Sequence, residues 1–139
     1  MSMTITFPGG AAVDAHFKGF TVHTDQRVEY GGRGAAPEPF DLFLASLGTC
    51  AGLFALRFCQ QRGIATEGLG VTLAVERDPE AKRLAAVRLE IQLPPGFPEK
   101  YREAIVRAAD QCTVKRHILE PPVFEVTAVP AGEMETVEA

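Results

Sequence analysis

Cys50, Cys59 and Cys112 carry the most reactive side chains in this 139-residue chain. A thiolate is a strong nucleophile, and a nearby Arg or a helix N-terminus lowers a thiol pKa far enough to form one at neutral pH. Cys50 sits in an apolar run between Gly48 and Gly52. Cys112 lies where one helical pattern stops and a shorter one starts, near the positive end of the second. Arg27 and Arg33, in the loop ahead of the apolar run, are the cations that Cys50 could meet. An ionised Cys50 would attack the O–O bond of a peroxide and become a sulfenic acid, and a second thiol would condense with it to a disulfide. The apolar wall of Phe40, Leu42, Phe43, Leu47 and Phe54 favours an organic peroxide over hydrogen peroxide. Each residue also has a plainer reading. Free cysteine is commonly buried and inert. Arg27 and Arg33 read as solvated loop charges, and Asp41 as a helix-start carboxylate.

The element that must position Cys50 runs from Pro39 to Arg62 and reads as a long helix. Pro39 suits the first helical position, Asp41 puts a negative charge in the first turn, and Gly63 is a left-handed stop. No charge occurs between Leu42 and Leu56, which predicts a helix buried on all sides. A bilayer span needs about 20 apolar residues. This run is shorter and is followed by Arg57 and Arg62, so no membrane partner is expected. Gly48 and Gly52, four apart, share a side where another backbone can come close. A second subunit is one cover for such a helix, and packing within the chain is the other. Cys59, nine residues after Cys50, is about two and a half turns away and points to the opposite face. Cys112 is therefore the intrachain partner left for Cys50.

The remaining elements frame this helix. Met3–Phe7 and Val13–Phe17 read as strands around Pro8-Gly9-Gly10, with Phe20–Thr24 as a third. Residues 25–38 are a Gly-rich loop carrying Arg27, Glu29, Arg33 and Glu38. Val71–Arg77 is a strand, and Val87, Leu89, Ile91 and Leu93 alternate with polar residues in the clearest period-two pattern. Pro98 opens a helix to about Gln111, with Tyr101, Ile105, Ala108 and Ala109 on its inner stripe. Thr113 can cap a short helix over Val114–Leu119, and Val123–Val129 is a last strand. Short links between consecutive strands imply antiparallel pairing and an α+β domain. The whole chain, 1–139, reads as one domain with an ordered core over about 3–129 and a frayed acidic tail over 130–139.

Net charge is −4, which gives no electrostatic support to nucleic-acid binding. No Cys-x-x-Cys or His-x-x-x-His spacing is present, so no metal is expected, and His16, His23 and His117 have no ligand spacing. The N-terminus lacks a basic region followed by an apolar core, so no signal peptide is expected.

Pro37-x-Pro39-x-Asp-Leu-Phe-Leu-Ala-Ser-Leu-Gly-Thr-Cys50 resembles the first cysteine motif of the OsmC family, the osmotically inducible and organic hydroperoxide resistance proteins. Asp110-Gln-Cys112-Thr-Val-Lys-Arg resembles its second, and Arg62-Gly63-Ile-Ala-Thr-Glu67-Gly68 is also similar. The resemblance spans about residues 3–129. It implies an intertwined homodimer with long helices packed centrally between two sheets and active sites at the subunit interface. It implies a peroxidatic Cys50 and a resolving Cys112 that form a disulfide recycled by a small dithiol or lipoylated reductant. It requires no cofactor, and with the missing signal peptide it implies a cytoplasmic protein. It assigns the thiolate-holding arginine to Arg27, with Arg33 as the other candidate. Its best-studied branches place a glutamate ten residues before the first cysteine, where this chain has Phe40. Asp41 matches the acidic residue of an OsmC-like branch. Two functions follow as expectations. One is a thiol-dependent organic hydroperoxide reductase. The other is a non-catalytic dimer that binds a small apolar or thiol-reactive ligand at its interface.

Overall fold

The computed structural model describes residues 1–132. Strands β1 (Thr4–Gly9), β2 (Ala12–Phe17) and β3 (Phe20–Thr24) form an antiparallel sheet in chain order. β1 runs past its expected end at Phe7. Pro8 is accommodated because the register slips between Thr6 and Gly9, an irregularity that tolerates a missing N–H. Phe17 pairs with Phe20 across a two-residue turn. Lys18 and Gly19 both take positive φ there, 50° and 79°, the backbone that matches the twist of a tight hairpin. The histidines of this sheet are engaged locally. His16 lies between the hydroxyls of Thr6 and Thr21, and His23 pairs with Asp14 at 2.9 Å.

Helix α1 spans Pro39–Gln61, close to the expected bounds. It is not buried on all sides. Leu47, Ala51, Ala55, Phe58 and Cys59 are buried, while the ridge Asp41, Ala45, Thr49, Leu53, Arg57 is exposed. One layer of partners can cover only one face of a helix, and the chain supplies that layer from strand β4 (Gly70–Asp78), strand β5 (Arg83–Gln92) and helix α2 (Arg102–Ala109). The Gly48–Gly52 side meets the chain's own β4. A Cβ on Gly48 would sit 3.8 Å from the Leu73 side chain, and one on Gly52 4.0 Å from Val71. Among the described residues, α1 is the helix long and apolar enough to cross a membrane. Its buried ridge instead supplies the core, where Ala55, Phe58, Cys59 and Ile105 cluster.

β4 and β5 pair antiparallel, with Val71 opposite Ile91, Leu73 opposite Leu89 and Val75 opposite Val87 on one face. A 3-10 turn, Glu99–Tyr101, leads into α2, so the regular helix is shorter than the expected Pro98–Gln111. Helix α3 (Thr113–Leu119) follows. No strand forms over Val123–Val129. Val123, Phe124 and Val126 are 87%, 82% and 95% exposed. An apolar alternation becomes a strand only where a sheet edge accepts its hydrogen bonds, and among the described residues no sheet edge pairs with it. Residues 133–139 of the expected acidic tail lie outside the described residues.

The chain divides into two compact units. One comprises Met1–Phe43 with the segment from Val123, the other Leu44–Pro122.

Candidate active site

Cys50 and Cys112 are brought together at the first turn of α3, within the second unit. Cys112 is the N-cap residue of that helix, with φ −50° and ψ 118°, and its sulfur accepts the Lys115 N–H at 3.4 Å. Thr113, expected as the cap, is instead the first helical residue. An N-cap needs an extended backbone and a short side chain that reaches the free N–H groups, and the Cys112 thiol meets both needs. The same sulfur lies 4.0 Å from the Leu47 carbonyl oxygen of α1.

Cys50, on α1, faces the same helix start. Burial raises its pKa, but hydrogen bonds from the Val114 N–H, the Cys112 thiol, and the Thr113 N–H and hydroxyl outweigh burial. The net shift is below an ordinary thiol. Cys112 moves the other way. Burial pushes it up, the Lys115 N–H opposes this, and neighbouring Cys50 adds to the rise. Cys50 is half-buried, whereas Cys112 is 2% exposed. The two shifts run apart, so Cys50 is the thiol of the pair that ionises more readily, and the thiolate is the nucleophilic form. Cys59 takes no part. It is fully buried in the core, and burial raises its pKa despite Arg62 nearby.

A cavity of about 490 Å³ lies within the same unit. Leu47, Val71, Leu89, Ile105 and Ile118 line it, together with Cys112. Of the expected apolar wall, Leu47 is present and Phe54 is not a lining residue. Most of the wall comes from the β4–β5 face and α2, because the apolar side of that hairpin is what α1 packs against. Phe40 and Phe43 belong to the first unit, with ring centroids 5.3 Å apart.

Arg27, Arg33 and Asp41 also belong to the first unit. The Arg27 Nε donates to Glu38 Oε1 at 3.2 Å, and its guanidinium sits 4.8 Å over the Tyr30 ring. An arginine–glutamate pair is thus present, with Glu38 as its acid, twelve residues before Cys50 rather than ten. Asp41 does not pair with the arginine in this way: its Oδ2 accepts the Glu38 N–H at 2.9 Å. Arg33 contributes its backbone N–H to Asp25 at 3.1 Å. Asp25, 4% exposed, and Glu38 as the partner of Arg27 hold roles that residue spacing does not assign. An Asp directly after a strand and ahead of a Gly-rich loop is a turn-forming acceptor, and Asp25 carries that local signal. Among the described residues, no group of three or more His, Cys, Asp or Glu side chains is placed to hold a metal ion.

The sequence profile of OsmC-like proteins matches residues 32–127. No curated protein matches the chain in sequence. Among solved structures, the chain is similar to an osmotic stress induced and detoxification response protein from Psychrobacter arcticus 273-4, with 21% identity, a TM-score of 0.71 and coverage of 84% of this chain and 86% of that one. An OsmC-like protein from Mycoplasma pneumoniae is similar at 16% identity and a TM-score of 0.68, over 85% and 86% of the two chains. An organic hydroperoxide resistance protein from Legionella pneumophila is similar at 22% identity and a TM-score of 0.54, over 85% and 89%. These likenesses carry the α+β fold, and the profile match over more than half of the chain carries the family. The protein with Cys50 and Cys112 paired at the start of α3 therefore belongs to the OsmC family, which includes the organic hydroperoxide resistance proteins.

Proposed function

We propose that this protein is a thiol peroxidase that reduces organic hydroperoxides. The Cys50 thiolate attacks the terminal peroxide oxygen, the O–O bond breaks, and the alkoxide leaves and takes a proton from water to become the alcohol. Cys50 is then a sulfenic acid. The Cys112 thiol condenses with it, releases water and leaves a Cys50–Cys112 disulfide. A small dithiol or a lipoylated protein reduces that disulfide by two thiol exchanges. The observation that carries this reading is Cys50 set beside Cys112 at a helix start whose N–H groups draw its pKa below that of an ordinary thiol. The cavity beside Cys112 offers room for an alkyl group. Arg27 and Asp41 belong to the proposed catalytic set, and Phe40, Phe43, Leu47, Phe54 and Arg33 to the proposed substrate-binding set. The reading treats residues 1–139 as one domain, acting in the cytoplasm as a homodimer. Exposed Ile5, Phe7, Phe20, Phe124 and Val126 offer apolar surface that a second copy would bury.

The second reading, a non-catalytic dimer holding a small apolar ligand, is favoured by the same cavity. One experiment separates the two. Reduced protein is treated with one equivalent of cumene hydroperoxide and examined by intact and peptide mass spectrometry. Loss of two protons mapped to a Cys50–Cys112 bridge supports the peroxidase, and a Cys50→Ser variant must then stop consuming peroxide with dithiol supplied. Thiols that stay reduced support the binding protein.

A further inference from the structure

The loop between β3 and α1 is organised around one buried carboxylate that the proposed reaction does not use. Asp25 follows directly on β3, whose last residue, Thr24, is anchored by its hydroxyl to the Val13 carbonyl at 2.6 Å. One Asp25 oxygen accepts the Gln26 N–H at 2.8 Å. The other accepts the N–H groups of Arg33 and Ala35, both at 3.1 Å. The Asp25 N–H donates to the Pro37 carbonyl at 3.1 Å and closes the loop base. The thirteen residues 25–37 are thereby folded back on a single residue, through its side chain and its backbone N–H. A carboxylate that accepts several N–H groups is held in its charged form. The Ala35 and Gln26 N–H groups, opposed by burial and aided by Arg33, keep Asp25 below its usual value.

Arg27 is clamped inside that loop. Its carbonyl accepts the N–H groups of Tyr30 at 2.9 Å and Gly32 at 3.1 Å, and the Gly34 N–H reaches the Gln26 carbonyl at 3.0 Å. Gly32 has no room for a side chain. A Cβ there would fall 1.8 Å from the Gln26 carbonyl oxygen, which is backbone and cannot swing aside. The Arg27 side chain has few direct restraints, its ion pair with Glu38 and its stack on Tyr30. Its side chain is 61% exposed. An exposed pair of this kind holds little geometry by itself. The backbone beneath it must therefore supply the geometry, and Asp25 fixes that backbone.

We propose that Asp25 is a positioning residue that acts through the 25–38 backbone to hold the Arg27 guanidinium on Glu38. Its consequence for activity rests on the peroxidase reading, in which Arg27 takes part. The test uses the full chain and two readouts. The first is the Arg27 Nε–H resonance in a nitrogen-15 spectrum, assigned by its loss in Arg27→Gln. The second is the rate of Cys50 oxidation by cumene hydroperoxide. In Asp25→Asn, the Arg27 resonance should move to the position of a solvent-exposed arginine. The oxidation rate should fall by the factor that Arg27→Gln costs, and the double variant should be no slower than Arg27→Gln alone. Gly32→Ala disturbs the loop by a different route and should reproduce both changes. It decides the matter if Asp25→Asn loses the β1–β3 sheet by circular dichroism. The proposal is overturned if the Arg27 resonance stays in place or if the two rate losses multiply, whereas an Arg27→Gln variant that keeps the wild-type rate removes Arg27 from the proposed reaction and leaves the resonance to decide. A wild type that forms no peroxide-dependent Cys50–Cys112 bridge sinks the peroxidase reading instead, and the resonance alone then decides the role of Asp25.

Discussion

Cys50 lies beside Cys112, whose sulfur accepts the Lys115 N–H and so caps α3. The start of one short helix, together with burial, thus acts on both thiols. Its second N–H group and that of Thr113 draw Cys50 toward the thiolate, while burial keeps Cys112 protonated. In the proposed reaction, this makes the attacking sulfur the better ionised one and keeps a proton available on its partner.

The two thiols should titrate apart. For Cys50, whose folded pKa is depressed, the stability drawn from the shift is fully present above the unfolded-state thiol pKa. It is lost as pH falls through the lower folded value. For Cys112, whose folded pKa is raised, the contribution is present below the unfolded value and lost as pH rises through the folded one. Alkylation by iodoacetamide, mapped by peptide mass spectrometry across pH, should therefore show a Cys50 midpoint below that of free cysteine. Cys112 should lag above it. Equal midpoints would remove the basis for assigning Cys50 as the nucleophile.

Cys112 has a structural role separable from its redox role. Serine is a preferred N-cap and alanine is not, a difference of about 1 kcal/mol. Cys112→Ser should keep most of the wild-type stability, and Cys112→Ala should lose about 1 kcal/mol by urea denaturation. Both should stop at the Cys50 sulfenic acid after peroxide, detected by dimedone labelling. A full disulfide cycle in either variant would mean that Cys112 does not resolve.

Gly48 and Gly52 pack against side chains of β4 at ordinary contact distances. Replacing a mid-helix glycine by alanine gains roughly 0.5–1 kcal/mol where space allows. Gly48→Ala and Gly52→Ala should each raise the thermal midpoint. A loss of stability would show that another backbone approaches this side of α1, the close approach that the glycine spacing also permits.

Ile105 is fully buried, joins the core with Ala55, Phe58 and Cys59, and lines the cavity beside Cys112. Ile105→Ala should cost about 2–5 kcal/mol, with the spread set by how far the site can collapse. Urea denaturation at equal m-value measures it. A cost below about 1 kcal/mol would mean that the neighbours refill the space, as a close-packed core would not allow.

Much of this protein is legible in its local pattern. The bounds of α1 follow from Pro39, Asp41 and Gly63, and the β4–β5 hairpin follows from the alternation through Val87 and Leu89, because both signals lie within one element. The separation of Cys50 from Cys59 follows from helical period alone. Burial did not follow in the same way. A charge-free run implies a helix covered all round, yet the chain covers only the ridge from Leu47 to Cys59, since coverage depends on how many neighbours the fold supplies. Val123–Val129 has a strand's composition, but a strand exists only against an edge that accepts its hydrogen bonds. The chemistry of the pair was likewise a tertiary matter. Cys50 and Cys112 are far apart in the chain, and only the placement of α3 against α1 decides that one sulfur receives N–H groups while the other is shut in. Glu38 rather than Asp41 pairs with Arg27, and Asp25 gathers the loop, because those partners are chosen by the path of the backbone and not by residue spacing.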